Sequence, residues 1–125
     1  MKARTGAPSP RSLRVAQLIQ EELSRLLLRG LKDPRLTGFI TLTGVKLSPD
    51  LRDGTVYFSV FGDTAERERT GEGLKAAARY LQAEVSRALR LRSTPHLRFV
   101  YDESIERGDR IDRLLRGVKD EPEPE

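Results

Sequence analysis

Apolar residues near the start of the chain recur every three or four positions. Val15, Leu18, Ile19, Leu23, Leu26 and Leu27 fall on one face at that period, which predicts an amphipathic helix. Ser12 is placed to cap it by accepting a bond from a free first-turn amide. Gly30 is placed to end it, since glycine takes left-handed backbone at low cost. Gln17, Gln20, Glu21 and Arg25 fall largely on the wet side. Next comes Leu31-Lys32-Asp33-Pro34-Arg35-Leu36, where Pro34 forbids helix and holds Asp33 extended. Asp33 can pair with Arg35 or accept from a nearby amide in a turn that positions the next element.

Alternation replaces helical spacing over Phe39 to Leu47 and over Thr55 to Phe61, which predicts two strands. In the first, Phe39, Thr41, Thr43, Val45 and Leu47 share one face, and Ile40, Leu42, Gly44 and Lys46 the other. Neither face is cleanly apolar, and Gly44 marks a candidate bulge. Ser48-Pro49-Asp50 and Asp53-Gly54 are turn signals that join the strands as a hairpin. In the second, Val56, Phe58 and Val60 oppose Tyr57, Ser59 and Phe61, a mixture that suits a central strand with both faces partly covered.

Asp63, with Glu66 three residues on, resembles a capping box. A long helix is expected from about Thr70 to Leu91, with Leu74, Ala78, Leu81, Val85, Ala88 and Leu89 as its apolar stripe. Gly71 and Gly73 each cost roughly 1 kcal/mol relative to alanine, so the pattern is firm only from Leu74. Pro95 closes the segment. Leu97, Phe99 and Tyr101 alternate with Arg98 and Val100 as a last short strand. The order is α-β-β-α-β. Ile111, Leu114, Leu115 and Val118 then keep a helical spacing inside a charge-mixed stretch, a marginal C-terminal helix.

Composition narrows the function. The chain has 125 residues and reads as one domain over 11–118, between a disordered basic arm (1–10) and an acidic disordered tail (119–125). No cysteine and one histidine leave no disulfide, no thiolate chemistry and no multi-imidazole zinc site. No apolar run is long enough to span a membrane, and the start lacks the apolar core of an export signal. The expectation is a soluble, cytoplasmic protein. The net charge of +4 hides a more basic body. The last six residues hold four acids, and without them 23 bases face 15 acids. Such a body attracts polyanions over about 8 Å at physiological salt. The plain alternative is a solvated surface with no partner.

Nothing in the chain suggests catalysis. His96 has no cysteine partner and sits at a strand entrance beside Pro95. The carboxylates lie in charge-mixed runs typical of solvated faces. Gly71-Glu72-Gly73 lacks the third glycine and the Lys-Ser/Thr ending of a phosphate loop. No enzyme activity, cofactor, metal or small-molecule substrate is expected.

The basic residues point instead to RNA. Helical spacing brings Lys75 and Arg79 near Glu72, and Arg87 and Arg90 near Glu84. Arg92 and Arg98 flank the exit turn. Arginine meets phosphate with paired bonds that give affinity without sequence readout. The bland reading of the same residues is a solvated face laced by Glu–Arg pairs. With no tryptophan and 6% aromatics, base stacking is not the obvious mode. Recognition of folded RNA by shape and backbone fits better.

Several segments then carry a resemblance. They are Arg14-Val15-Ala16-Gln17, Lys32-Asp33-Pro34-Arg35-Leu36, Thr43 through Leu51, Val56-Tyr57, Leu89-Arg90-Leu91-Arg92, Pro95, Leu97, Phe99 and Tyr101-Asp102. Their order and spacing resemble ribosome-binding factor A, a bacterial small-subunit assembly family, from about Arg11 to Leu115. The resemblance implies an α+β, type II KH-like domain, α-β-β-α(kinked)-β, with helices on one side of a three-stranded mixed sheet. It implies a non-enzymatic monomer that binds immature 30S subunits and 16S ribosomal RNA. It implies a role in late maturation, including rRNA processing and adaptation to cold. In that family an Ala-x-Gly element interrupts the long helix. Here it falls on Ala77-Ala78-Arg79, where the glycine is absent, so any kink would be set elsewhere, near Gly71 and Gly73. The expected RNA contacts are Lys75, Arg79, Arg87, Arg90 and Arg92, with Lys46 and Arg98. The rival is a protein–protein adaptor that docks through its first helix or its charged C-terminal segment.

Overall fold

A computed structural model describes residues 9–36 and 39–104. Most of the basic arm, the C-terminal helix and the acidic tail expected from the sequence lie outside the described residues.

Helix α1 spans Pro10–Arg29. Its cap is Ser9, not Ser12: the Ser9 side chain accepts from the Ser12 amide, and Pro10 takes the first helical position. Proline has no N–H to leave orphaned there, and its fixed φ suits a first turn. Ser12 therefore lies inside the helix, buried, with its hydroxyl donating to the Ser9 carbonyl at 2.9 Å. Gly30 ends the helix at φ 93°, as expected. The buried stripe is Ala16, Ile19, Leu23 and Leu26. Leu18 is displaced from it by more than a quarter turn and is 40% exposed. Glu22 is buried in the helix instead, with its carboxylate paired to Arg25.

Strands β1 (Ile40–Leu47), β2 (Asp53–Val60) and β3 (His96–Tyr101) form one sheet in the order β1-β2-β3. β1 runs antiparallel to β2, and β3 parallel to it, so β2 is the central strand. The register shifts between Leu42 and Gly44, which makes Thr43 the extra residue of a bulge. The bulge explains the ambiguous alternation of β1. One added residue lets Ile40, Leu42, Val45 and Leu47 all pack on the core, although strict alternation would split them. They meet Val60, Phe58, Val56 and Gly54 of β2 in register. Leu97, Phe99 and Tyr101 of β3 join the same layer. Phe39 and Phe61 fall just outside the strands predicted to hold them.

Helix α2 spans Thr64–Leu89 and forms the crossover between β2 and β3. It starts six residues earlier than the apolar pattern indicated. Asp63 caps it by accepting from the Glu66 amide at 3.0 Å, which realises the first half of the capping box. The helix runs without interruption through Gly71, Gly73 and Ala77–Arg79, so the expected kink is not a break in it. Without the glycine at position 79, no residue of Ala77–Arg79 favours leaving the helix. Leu74, Leu81 and Val85 are fully buried with Thr70, whereas Ala88 of the expected stripe is exposed. Helix α1 packs on β1 and α2, and α2 on β3 and β2, and among the described residues no helix covers the opposite face of the sheet.

Candidate nucleic-acid interface

All seven expected contact residues are exposed, but they fall into two groups on opposite sides of the sheet. The first group rides on α2 and the turn after it. Lys75 and Arg79 are one turn apart on the solvent side, away from Leu74, Leu81 and Val85. Neither makes an ion pair among the described residues. Arg87 lies two turns further on but meets Glu84 through both guanidinium nitrogens, at 2.8 and 3.2 Å. Its charge is partly neutralised within the helix face, as the bland reading of that face required. Arg90 is the C-cap and sits in left-handed backbone (φ 55°, ψ 46°). A cation there complements the negative end of the helix dipole. Arg92 follows in the turn to β3 and is also exposed.

The second group lies on the open face of the sheet. Lys46 pairs with Thr55 in register, and Thr55 pairs with Arg98. The three make one row across all three strands, with the two cations about 10 Å apart. The Arg98 guanidinium reaches back to the Thr55 hydroxyl at 3.4 Å. Since α2 covers the other face, Lys46 and Arg98 cannot share a flat ligand with Lys75 and Arg79.

A further element was read from the sequence only as a turn. The segment after α1 folds against α2 and borders a cavity of about 780 Å³, lined by Gly30 to Arg35 with Ala77 and Tyr80. Asp33 organises it. Its carboxylate accepts from the Arg35 amide and from the Arg35 guanidinium through both oxygens, at 2.7 to 2.9 Å. The Arg35 side chain and then the Arg35 amide hold the Asp33 carboxyl down to about 2. Both pairings foreseen for Asp33 occur together. Lys32 adds positive charge at the rim of this groove, while the charge of Arg35 is met by Asp33. The signal for them was the proline between an acid and a base, which fixes a rigid elbow rather than a loose loop.

Among the described residues no group of His, Asp and Glu side chains is arranged to hold a metal ion, and no helix is long and apolar enough to cross a membrane. His96 is exposed at the start of β3, opposite Asp53.

The described architecture, two helices on one face of a mixed three-stranded sheet, is the type II KH-like fold. Known proteins agree with it. The family described as ribosome-binding factor A matches residues 11–115. Ribosome-binding factor A of Anaeromyxobacter dehalogenans (strain 2CP-C) is 65% identical over 109 residues, covering 87% of this chain and 79% of that one. The crystal structure of ribosome-binding factor A from Thermus thermophilus aligns with a TM-score of 0.62 at 29% identity, over 72% of this chain and 94% of that one. A Thermus thermophilus homology model fitted into a cryo-EM map of a 30S complex aligns with a TM-score of 0.55 at 28% identity, over 76% and 94%. A match over nearly the whole described domain, joined to a relative identical at two positions in three, means that this chain belongs to the ribosome-binding factor A family.

Proposed function

We propose that this protein binds the small ribosomal subunit during its assembly, contacts 16S ribosomal RNA, and promotes late maturation, including rRNA processing and growth in the cold. It works as a cytoplasmic monomer and carries out no chemistry of its own. The observation that supports this most is the pair Lys75 and Arg79, exposed one turn apart and without ion-pair partners among the described residues. The Thermus relative fitted into a 30S complex adds support from a protein of the same fold. Arg92 and Arg90 extend the cationic surface past the helix end, and Lys32 extends it across the groove. Docking through phosphates holds one arrangement of folded RNA until maturation is complete, with affinity set by charge and shape rather than base identity.

Lys75→Glu with Arg79→Glu tests the reading. Both residues are exposed, so the double variant keeps its fold by circular dichroism. It should bind immature small subunits at least about tenfold more weakly in sedimentation, with a shallower dependence on salt. Unchanged affinity would rule out this surface. The adaptor reading draws on Leu13 and Leu28, 57% and 85% exposed on α1. It predicts binding that survives high salt and fails with Leu28→Ser.

A further inference from the structure

The chain has four phenylalanines. Phe58 and Phe99 belong to the core layer. Phe39 and Phe61 do not: they are 86% and 93% exposed. Single exposed apolar residues are ordinary, but these two are neighbours. Ile40 and Val60 are the last register pair of the β1–β2 ladder, and Phe39 and Phe61 are the next residue on each side of it. Two large exposed rings thus flank the same end of the β1–β2 ladder, one on each strand's side. Six residues back along β2 from Phe61, about 20 Å away, the same sheet carries the row Lys46–Thr55–Arg98. Between them lie hydroxyls and a ring: Thr41, Ser59 and Tyr57. Asp102 is already engaged, accepting from the Thr43 hydroxyl across β2 and from the amide and hydroxyl of Ser104.

A surface with two exposed rings at one end and two cations at the other suits a ligand that alternates flat apolar faces with negative charges. Single-stranded RNA has that chemistry. A duplex does not, because its bases are already stacked on each other and show only edges and phosphates. An apolar protein segment would satisfy the rings but leave Lys46 and Arg98 desolvated without anions. We infer that the open face of the sheet is a second docking surface, for an unpaired stretch of RNA, with Phe39 and Phe61 stacking on bases and Lys46 and Arg98 holding phosphates. The inference rests on the subunit-binding reading for its RNA and deepens it: α2 holds folded RNA, and the far side of the sheet holds a strand. Low aromatic content had argued against stacking, yet two of the four phenylalanines are exposed and uncovered among the described residues.

The test uses the full chain and a fluorescein-labelled hexauridylate, read by anisotropy at low salt. Wild-type protein should bind saturably and weaken as salt rises. Phe39→Leu and Phe61→Leu should each lose about tenfold in affinity, since leucine keeps the apolar surface but cannot stack. Phe39→Trp and Phe61→Trp should restore it. Lys46→Ala with Arg98→Ala should flatten the salt dependence. Equal affinity of the leucine variants and wild type would overturn the inference, as would no binding by wild type. Sedimentation of wild type with small subunits runs in parallel. Subunit binding without oligonucleotide binding overturns the second surface alone. Loss of both overturns both readings.

Discussion

Gly73 of α2 lies so close to Leu36 that a methyl group added to it would stand 2.9 Å from Leu36 Cδ2 and 3.1 Å from Arg35 Cβ. The elbow after α1 therefore rests directly on the backbone of α2. Two rules of sequence logic conflict at this residue. In an open helix, glycine to alanine stabilises by about 1 kcal/mol. Here the added methyl must push the elbow away, and overpacking of this kind costs about 1–3 kcal/mol. Gly71 is the control, since its nearest neighbour would be Phe58 Cζ at an ordinary 3.6 Å. Thermal melts should show Gly71→Ala above wild type and Gly73→Ala below it.

Arg90 pairs a strained backbone with a useful charge. Left-handed backbone costs a side-chain-bearing residue about 1 kcal/mol or more, and glycine is the usual occupant of such a cap. Arg90→Gly should raise the melting temperature by a few degrees while weakening subunit binding severalfold. A variant that gains stability with no loss of binding would show that Arg90 serves only as a cap.

Arg79 and Arg87 differ in how far their charge is already engaged. Arg87 holds Glu84, whereas Arg79 has no such partner among the described residues. An exposed pair of this sort contributes little to stability, but it lowers the charge available to phosphate. Arg79→Ala should therefore weaken subunit binding more than Arg87→Ala, and Glu84→Gln should strengthen it slightly. Equilibrium titrations of the three single variants at one salt concentration rank them.

The Thr43 hydroxyl donates to Asp102 over the central strand and ties the bulge of β1 to the exit of β3. Removing one partner of a bond to a charged group costs about 1.5–3 kcal/mol. Thr43→Val, which keeps the shape, should lower unfolding free energy in urea by about that amount with an unchanged m-value.

Acid should reach Asp33 late. Its carboxyl sits at about 2 in the folded protein, down from 3.8, because Arg35 bonds its charged form. A depressed carboxyl adds stability above its unfolded value and loses it as pH falls through the folded one. Asp33→Asn should thus melt below wild type at pH 6, with the gap closing between about pH 4 and 2. A carbon-detected NMR titration should place the Asp33 midpoint near 2 in wild type and nearer 3.8 in Arg35→Ala. The pair is partly exposed, so added salt should shrink the gap.

The sequence made the order of elements legible because hydrophobic period separates helix from strand, and Leu74, Leu81 and Val85 need only that period to be placed. The details that escaped it depended on geometry between elements. The Thr43 bulge turns an unreadable alternation into one apolar face, and only the partner strand reveals it. Ser9 outcompeted Ser12 as cap because Pro10 moved the helix start. The surface cations were legible as surface cations, but only the register placed Lys46 and Arg98 in one row and away from α2. Phe61 looked like the end of a strand, and nothing in its neighbours foretold its exposure.

The crossover has a temporal consequence. β2 is complete by residue 60, yet one of its two hydrogen-bonding edges waits for β3, which lies beyond the 26 residues of α2. A nascent chain that has emerged only as far as α2 presents a bare central strand, without Leu97 against Gly54 or Phe99 against Val56. Cooperative folding is thus deferred until β3 has emerged, and a chain stalled before His96 would be prone to self-association.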